Sequence, residues 1–243
     1  MRTMKKFTLL LVICCAVSGL MGVEPVVDFK LNEGSGKVVK DSAGNVKGEI
    51  CFAENTRWID GRDEGSKVLC FSGAAEKSRK GGCVRVYTGK KVDFSKPFTL
   101  MFYFYLDKSL PRASTKEMVS CTHSENGSGF RTIFSWNRIC FWIGNGKKRT
   151  ELNTNSNKVK VLRGVWQHLS ITVDNGRAAI YLNGIKTAER DNMMPIRDYP
   201  DVLSVGSYQS GYTYNFNGVI SDVKIFDRAL SDREILAMVK GIE

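Results

Sequence analysis

The 243-residue sequence is short of the residues that build linkers, metal clusters and proton relays. Only five prolines occur, and no low-complexity run or fixed-period repeat accompanies them. A proline-rich linker and a solenoid are thereby excluded. Histidine is reduced to two residues, and no C-x-x-C or Cys/His cluster has zinc spacing. The common structural zinc sites are therefore absent. No Ser/His/Asp order, phosphate-cradling glycine loop or nucleic-acid motif is present, so a nucleic-acid partner is not expected. Beyond the first twenty-odd residues no stretch approaches the ~18 apolar residues that span a bilayer. An integral membrane protein is not expected either.

What the sequence does contain is a substantial apolar fraction, 42 %. That is enough for a real core and too much for disorder. The length suits a single all-β sandwich. Residues 1–22 read as a secretory signal peptide. Arg2, Lys5 and Lys6 form its basic start, an apolar stretch runs from Phe7 to about Val17, and Ala16-Val17-Ser18 supplies small residues for cleavage. A lipoprotein signal is the rival reading, because Cys14 and Cys15 lie in this segment, but Ile13 and Cys14 stand where a lipobox has a small residue. The expected location is secreted, periplasmic or on the cell surface, with residues 23–243 as one domain that acts alone or assembles with another chain.

Taking the three cations of the signal off the formal charge of +11 leaves +8. Basic exported proteins meet acidic glycans, envelope phosphates or nucleic acid. The charge gathers in Lys77-Ser78-Arg79-Lys80, Lys90-Lys91 and Lys147-Lys148-Arg149, and a merely solvated surface is the competing explanation. Five cysteines follow the signal: Cys51, Cys70, Cys83, Cys121 and Cys140. Export permits disulfides. The odd count assigns no pair, and buried free thiols are an equal alternative.

Strand patterns recur every ten residues or so between Gly, Asn and Asp turns. In 98–106, FTLMFYFYL, Leu100, Phe102, Phe104 and Leu106 alternate with Thr99, Met101, Tyr103 and Tyr105, and both faces are expected to be at least partly covered, as in a central strand of a packed sandwich. The segment 132–143, TIFSWNRICFWI, predicts a hairpin turning at Asn137-Arg138, with Phe134 facing Phe141, Trp136 facing Ile139 and Ile133 facing Trp142. On that register Trp142 points away from the face of Phe134 and Phe141. Residues 166–184 predict a meander: Leu169, Ile171 and Val173, a turn at Asp174-Asn175-Gly176, then Ala178, Ile180 and Leu182, and a tight turn at Asn183-Gly184. Val219, Val223 and Ile225 alternate as a last strand. Ser231 and Glu234 then form a capping box, Ile235, Leu236 and Val239 an apolar stripe, and Gly241 a helix stop.

In order and spacing, these pieces resemble the laminin-G-like, concanavalin-A-like jelly-roll family, particularly bacterial LamG-like domains. LNEGSG (31–36), DSAGN (41–45), VLCFSG (68–73), CVRV (83–86) and KPFTLMFYF (96–104) match its early strands, with Tyr103 where Trp is usual. GVWQHLSITVD…IYLNG and FNGVISDVKIFDRALSDREI carry the most specific matches. The resemblance runs through most of residues 23–243. It implies an all-β, two-sheet antiparallel jelly-roll sandwich with a short C-terminal helix. It also implies a module that mostly binds glycans, glycoproteins or other proteins, in some members with calcium at the rim.

Sugar sites combine aromatic faces with amides and carboxylates. The stretch 207–218 offers Tyr208, Gln209, Tyr212, Tyr214 and Asn215, and Trp142 adds a platform on a sheet face. The same aromatics could instead cover the sandwich rim. No cofactor is required. For calcium, the oxygen donors are Asp41 and Asn45 with Asp222, solvated turn residues being the alternative. The family's hydrolases carry E-x-D-x-x-E on one strand; the nearest stretch, Glu189-Arg190-Asp191, has Met194 at the third position. A lyase would need Gln and His on one strand face, yet Gln167 and His168 are adjacent and must point oppositely. The expectation is an exported, non-catalytic recognition module for a glycan or cell-surface polysaccharide. A protein–protein or envelope-assembly module is the alternative, with a polysaccharide lyase or glycoside hydrolase behind both.

Overall fold

The computed structural model describes residues 23–72, 80–89, 91–123, 127–155 and 157–241. The expected signal peptide and Lys77, Ser78, Arg79 and Lys90 lie outside these residues. The described chain forms β1 (Val27–Phe29), β2 (Val38–Lys40), β3 (Lys47–Cys51), β4 (Thr56–Asp60), β5 (Lys67–Ser72), β6 (Cys83–Tyr87), β7 (Phe98–Leu106) and β8 (Thr115–Cys121). It continues as β9 (Phe130–Ser135), β10 (Arg138–Gly144), β11 (Arg149–Asn153), β12 (Trp166–Asp174), β13 (Arg177–Leu182), β14 (Ile185–Arg190), β15 (Val202–Val205), β16 (Asn217–Phe226) and α1 (Asp232–Lys240).

Two eight-stranded antiparallel sheets result, as the jelly-roll reading expects. One runs β14-β13-β12-β7-β16-β5-β4 with β1 on β16; the other runs β11-β10-β9-β8-β15-β6-β3-β2. Period-two alternation turns one face of each strand inward, and the two inner faces share one core. β7 sits mid-sheet with Phe98, Leu100, Phe102, Phe104 and Leu106 in that core. Its other face carries Met101, which packs with Ala179, Tyr181, Phe226, Leu230 and Ile235 under α1. The helix is there because its caps are complete: Ser231 and Glu234 exchange both capping-box bonds, and Gly241 ends it at φ 64°. Ile235 is fully buried, worth about 1.5–3 kcal/mol relative to exposure.

Two expected registers are corrected. The β9–β10 hairpin turns at Trp136-Asn137, not Asn137-Arg138, so Ile139 pairs Phe134, Cys140 pairs Ile133 and Trp142 pairs Arg131. A two-residue turn of this kind needs positive φ at both centres, and Trp136 (φ 50°) and Asn137 (φ 62°) supply it. Trp142 still points away from Phe134 and Phe141, because the shift is an even number of residues. In β16, Val219 does not share the face of Val223 and Ile225. It packs outside the sheet with Val68 and Cys70, while Ile220 takes the core position. An irregularity between Ser221 and Lys224, with Asp222 at φ 52°, inverts the alternation there.

All five described cysteines are free. Cys51 and Cys83 nevertheless stand directly opposite each other across β3 and β6.

Candidate functional site

α1 covers part of the outer face of the β7-containing sheet; the outer face of the other sheet carries a row of polar side chains. In β6, Val84 and Val86 turn inward and Cys83, Arg85 and Tyr87 outward. In β15, Leu203 and Val205 are core residues and Ser204 faces out. Ser120 of β8, Arg131 of β9 and Trp142 of β10 take the same outward positions. The registers join them into one row across seven strands: Glu49, Arg85, Ser204, Ser120, Arg131, Trp142 and Glu151. At ~4.8 Å per strand the row is roughly 29 Å long.

The loop 207–216 folds back onto this row. Ser204 Oγ donates to Ser207 O (2.8 Å) and accepts from Ser210 N (3.1 Å), and Glu117 N donates to Tyr214 O (2.7 Å). Gln209, Ser210 and Tyr214 hold left-handed backbone angles. At Gly211 (φ 105°) a Cβ would lie 2.4 Å from the Phe52 ring, so only glycine fits. On one side of the loop lies a cavity of about 380 Å³, lined among others by Arg85, Tyr87, Ser120, His123, Ser204 and Gln209. Among the described residues, the Oγ of Ser120, in a residue 1 % exposed, finds no hydrogen-bond partner. Arg85 lies 3.8 Å from Glu49 Oε1, which also accepts the Tyr87 hydroxyl hydrogen bond.

On the other side the loop seals a buried ion pair. Arg131 donates through Nε (3.1 and 3.2 Å) and Nη2 (2.7 Å) to the Glu117 carboxylate. Its guanidinium stacks on Tyr208 (4.4 Å), Trp142 (5.2 Å) and Tyr214 (5.4 Å). Arg149 covers Trp142 at 4.1 Å.

The candidates chosen from sequence thus divide. Trp142, Tyr208 and Tyr214 converge on Arg131 although they come from separate stretches. Tyr208 is 3 % exposed, while Trp142 and Tyr214 are half-buried. Gln209 lines the cavity and donates to His123 O. Tyr212 is half exposed, outside the Arg131 cluster. Asn215 is buried against Gly81, and its Oδ1 has no partner among the described residues. Sequence reading missed Arg85, Ser120, Ser204 and Arg131. The signal was a polar residue at an outward position within the apolar strands CVRVY, EMVSC, VLSV and FRTIF.

A family model described as concanavalin A-like lectin/glucanases superfamily matches residues 80–236. The chain belongs to that superfamily. No curated protein matches it in sequence. Solved structures of similar fold include the binding domain of botulinum neurotoxin DC in complex with rat synaptotagmin II, at 16 % identity and a TM-score of 0.69. Another is the same toxin's binding domain in complex with SialylT, at 14 % identity and 0.67. A third is the serotype G binding domain, at 17 % and 0.68. The alignments cover 89–90 % of this chain but 51–52 % of the matched chains, so it spans about half the length of those structures.

Among the described residues, the groups weighed above for lyase and hydrolase chemistry lie apart. Gln167 points inward and bonds Leu162 through both its amide atoms (3.0 and 2.8 Å). His168 points the other way, edge-on to Tyr103 (4.6 Å), whose ring Arg62 covers at 3.8 Å. Burial, with Arg62 and Lys224 nearby, lowers the His168 pKa to about 3. Glu189 is held by Arg177 (2.7 Å) and Lys186 (3.2 Å).

The residues expected to bind calcium do not fit a cation cradle. Asp41 Oδ1 accepts from Asp28 N (2.7 Å) and Ala43 N (3.1 Å), and Oδ2 from Asn45 N (2.8 Å) and Val46 N (3.0 Å). The Asn45 amide donates to Val26 O (3.0 Å), and Asp222 Oδ2 accepts from Ser221 Oγ (3.0 Å). Asp41 thus organises the turn of DSAGN. Among the described residues no three His, Cys, Asp or Glu side chains gather as a metal site requires.

Proposed function

We propose that the protein is an exported recognition module that binds a carbohydrate chain, acidic in character, along the outer row of the β3–β11 sheet. The supporting observation is the cavity beside Arg85, where the unpartnered Ser120 Oγ, the Ser204 hydroxyl and the Gln209 amide converge. Hydroxyl and amide groups match sugar hydroxyls, and a guanidinium pairs with a carboxylate. The Trp142 indole lies four strands from Arg85 along the row, beyond the loop 207–216, so a chain ligand and not a single sugar would reach both. The scattered catalytic groups favour binding over turnover. Its place of action is outside the cytoplasm, as the N-terminal sequence suggests.

Glycan-array screening of the protein, followed by titration calorimetry on the best ligand, tests this reading. Arg85→Gln weakens binding of an acidic glycan several-fold and leaves thermal unfolding unchanged. Absence of binding to any neutral or acidic glycan would discard the carbohydrate ligand. The second reading, a protein partner, is favoured by the exposed Tyr87 at the cavity and the exposed Tyr212 of the loop, 44 % and 50 % exposed. The similar toxin domains, one in complex with SialylT and one with synaptotagmin II, are compatible with both.

A further inference from the structure

One end of the sandwich, away from the cavity, brings three segments together. They are 107–114 between β7 and β8, the Trp136-Asn137 turn between β9 and β10, and 157–165 leading into β12. Trp136 N donates to Ser114 O (3.4 Å), Arg163 Nε to Leu110 O (2.7 Å), Arg163 Nη2 to Pro111 O (3.2 Å) and Gly164 N to Leu106 O (2.8 Å). The rim is therefore one fixed surface.

Its composition is lopsided. Lys108, Arg112, Arg138, Lys158 and Lys160 are all exposed, and Arg163 is half-buried. Asp107 is the sole acid in these segments, and Ser109 occupies its Oδ1 through N (2.8 Å) and Oγ (2.6 Å). Among the described residues, none of the five exposed cations forms an ion pair. Between them project Trp136 (59 % exposed), Leu162 (49 %) and Val165 (41 %). Trp136 is the more telling. A bulky residue at φ 50° is disfavoured, Asn or Gly being the residues of such turns. Here the strained position gains no burial in return.

We propose that this rim docks on a bilayer surface carrying anionic headgroups. A polyanion in water would satisfy the cations and leave Trp136, Leu162 and Val165 hydrated. A headgroup–acyl boundary accepts both, with lysines and arginines among phosphates and an indole at the polar–apolar border. The cavity beside Arg85 lies on a sheet face and not at this end, so docking leaves it open to a ligand.

The test uses the full chain with vesicles of phosphatidylcholine alone or mixed with phosphatidylglycerol. Co-sedimentation with the anionic vesicles, reversed by salt, is expected. The triple variant Lys108→Gln, Lys158→Gln, Lys160→Gln, with unchanged thermal unfolding, loses about a hundredfold in partitioning, since each cation near an anionic surface contributes on the order of a fivefold factor. Brominated acyl chains quench tryptophan fluorescence in the wild type, and Trp136→Phe removes that quenching. Equal quenching in Trp136→Phe, undiminished binding of the triple variant, or retention on heparin without binding to anionic vesicles would each overturn the proposal. These outcomes are independent of the glycan titrations, which read the Arg85 cavity.

Discussion

Arg131 holds Glu117 by a two-nitrogen fork with a shortest contact of 2.7 Å, and both side chains are almost wholly withdrawn from solvent, at 6 % and 0 % exposure. A buried pair is no evidence of net stability over an apolar pair, but breaking it leaves an uncompensated charge. Glu117→Gln is therefore expected to lower the unfolding free energy by about 3–5 kcal/mol, read by urea denaturation. A double change of Glu117 and Arg131 to Met should recover much of that loss. If Glu117→Gln unfolds at the wild-type midpoint, the pair does not organise the site.

The Tyr loop separates binding from stability. Tyr212→Ala is expected to leave the unfolding midpoint in place, because half of that ring is already in water. Tyr208→Ala removes a buried ring from the Arg131 stack and should cost about 3–5 kcal/mol. Matching stability losses in the two variants would contradict the loop's placement. A drop in glycan affinity with Tyr212→Ala alone would extend the binding surface across the loop.

His168 supplies a pH signature. Its pKa is about 3 in the folded protein, lowered chiefly by burial, against an ordinary value of 6.5. Between those values the unfolded chain binds the extra proton, so stability rises with pH. The contribution is complete above about 6.5 and is lost as pH falls towards about 3, with a limiting slope of ~1.4 kcal/mol per pH unit. The difference in unfolding free energy between wild type and His168→Phe, followed from pH 7 to pH 4, isolates this group from the carboxylates. A difference that does not change with pH would show that His168 takes up its proton alike in the folded and unfolded chain.

Cys51 and Cys83 should oxidise as a pair. Facing residues in an antiparallel ladder have Cα atoms about 4.5–5.5 Å apart, inside the roughly 4.4–6.8 Å window of disulfides. The two thiols share a hydrogen bond that, with Arg85, holds Cys51 below its usual pKa, while Cys83 is pushed up. Burial raises the Cys140 thiol to about 11 and pushes the Cys121 thiol higher still. The Cys51 thiolate is thus expected to attack glutathione disulfide first, forming a mixed disulfide and releasing one reduced glutathione. Exchange with Cys83 then yields the bridge and releases reduced glutathione. Peptide mapping after oxidation checks the outcome; a bridge involving Cys121 or Cys140, or primary modification at Cys83, would contradict it.

Much of the fold was legible locally. The apolar alternation of 98–106 and of 166–182 requires strands, because period two matches only an extended chain. Asn175-Gly176 and Asn183-Gly184 require tight turns, because these residues tolerate positive φ. The helix was written in Ser231, Glu234 and Gly241, since a cap is satisfied within a few residues of itself. The aromatic candidates could be named, but not their company. Trp142 and Tyr208 meet only because strand register and loop return bring both to Arg131. Ser120, Ser204 and Arg85 become neighbours through pairings between strands far apart in the chain. The true turn at Trp136 and the inversion at Asp222 were also decided by the assembled sheets. Alternation specifies which face a side chain takes within its own strand, whereas the partner strand, its register and its irregularities follow from packing two sheets around one core.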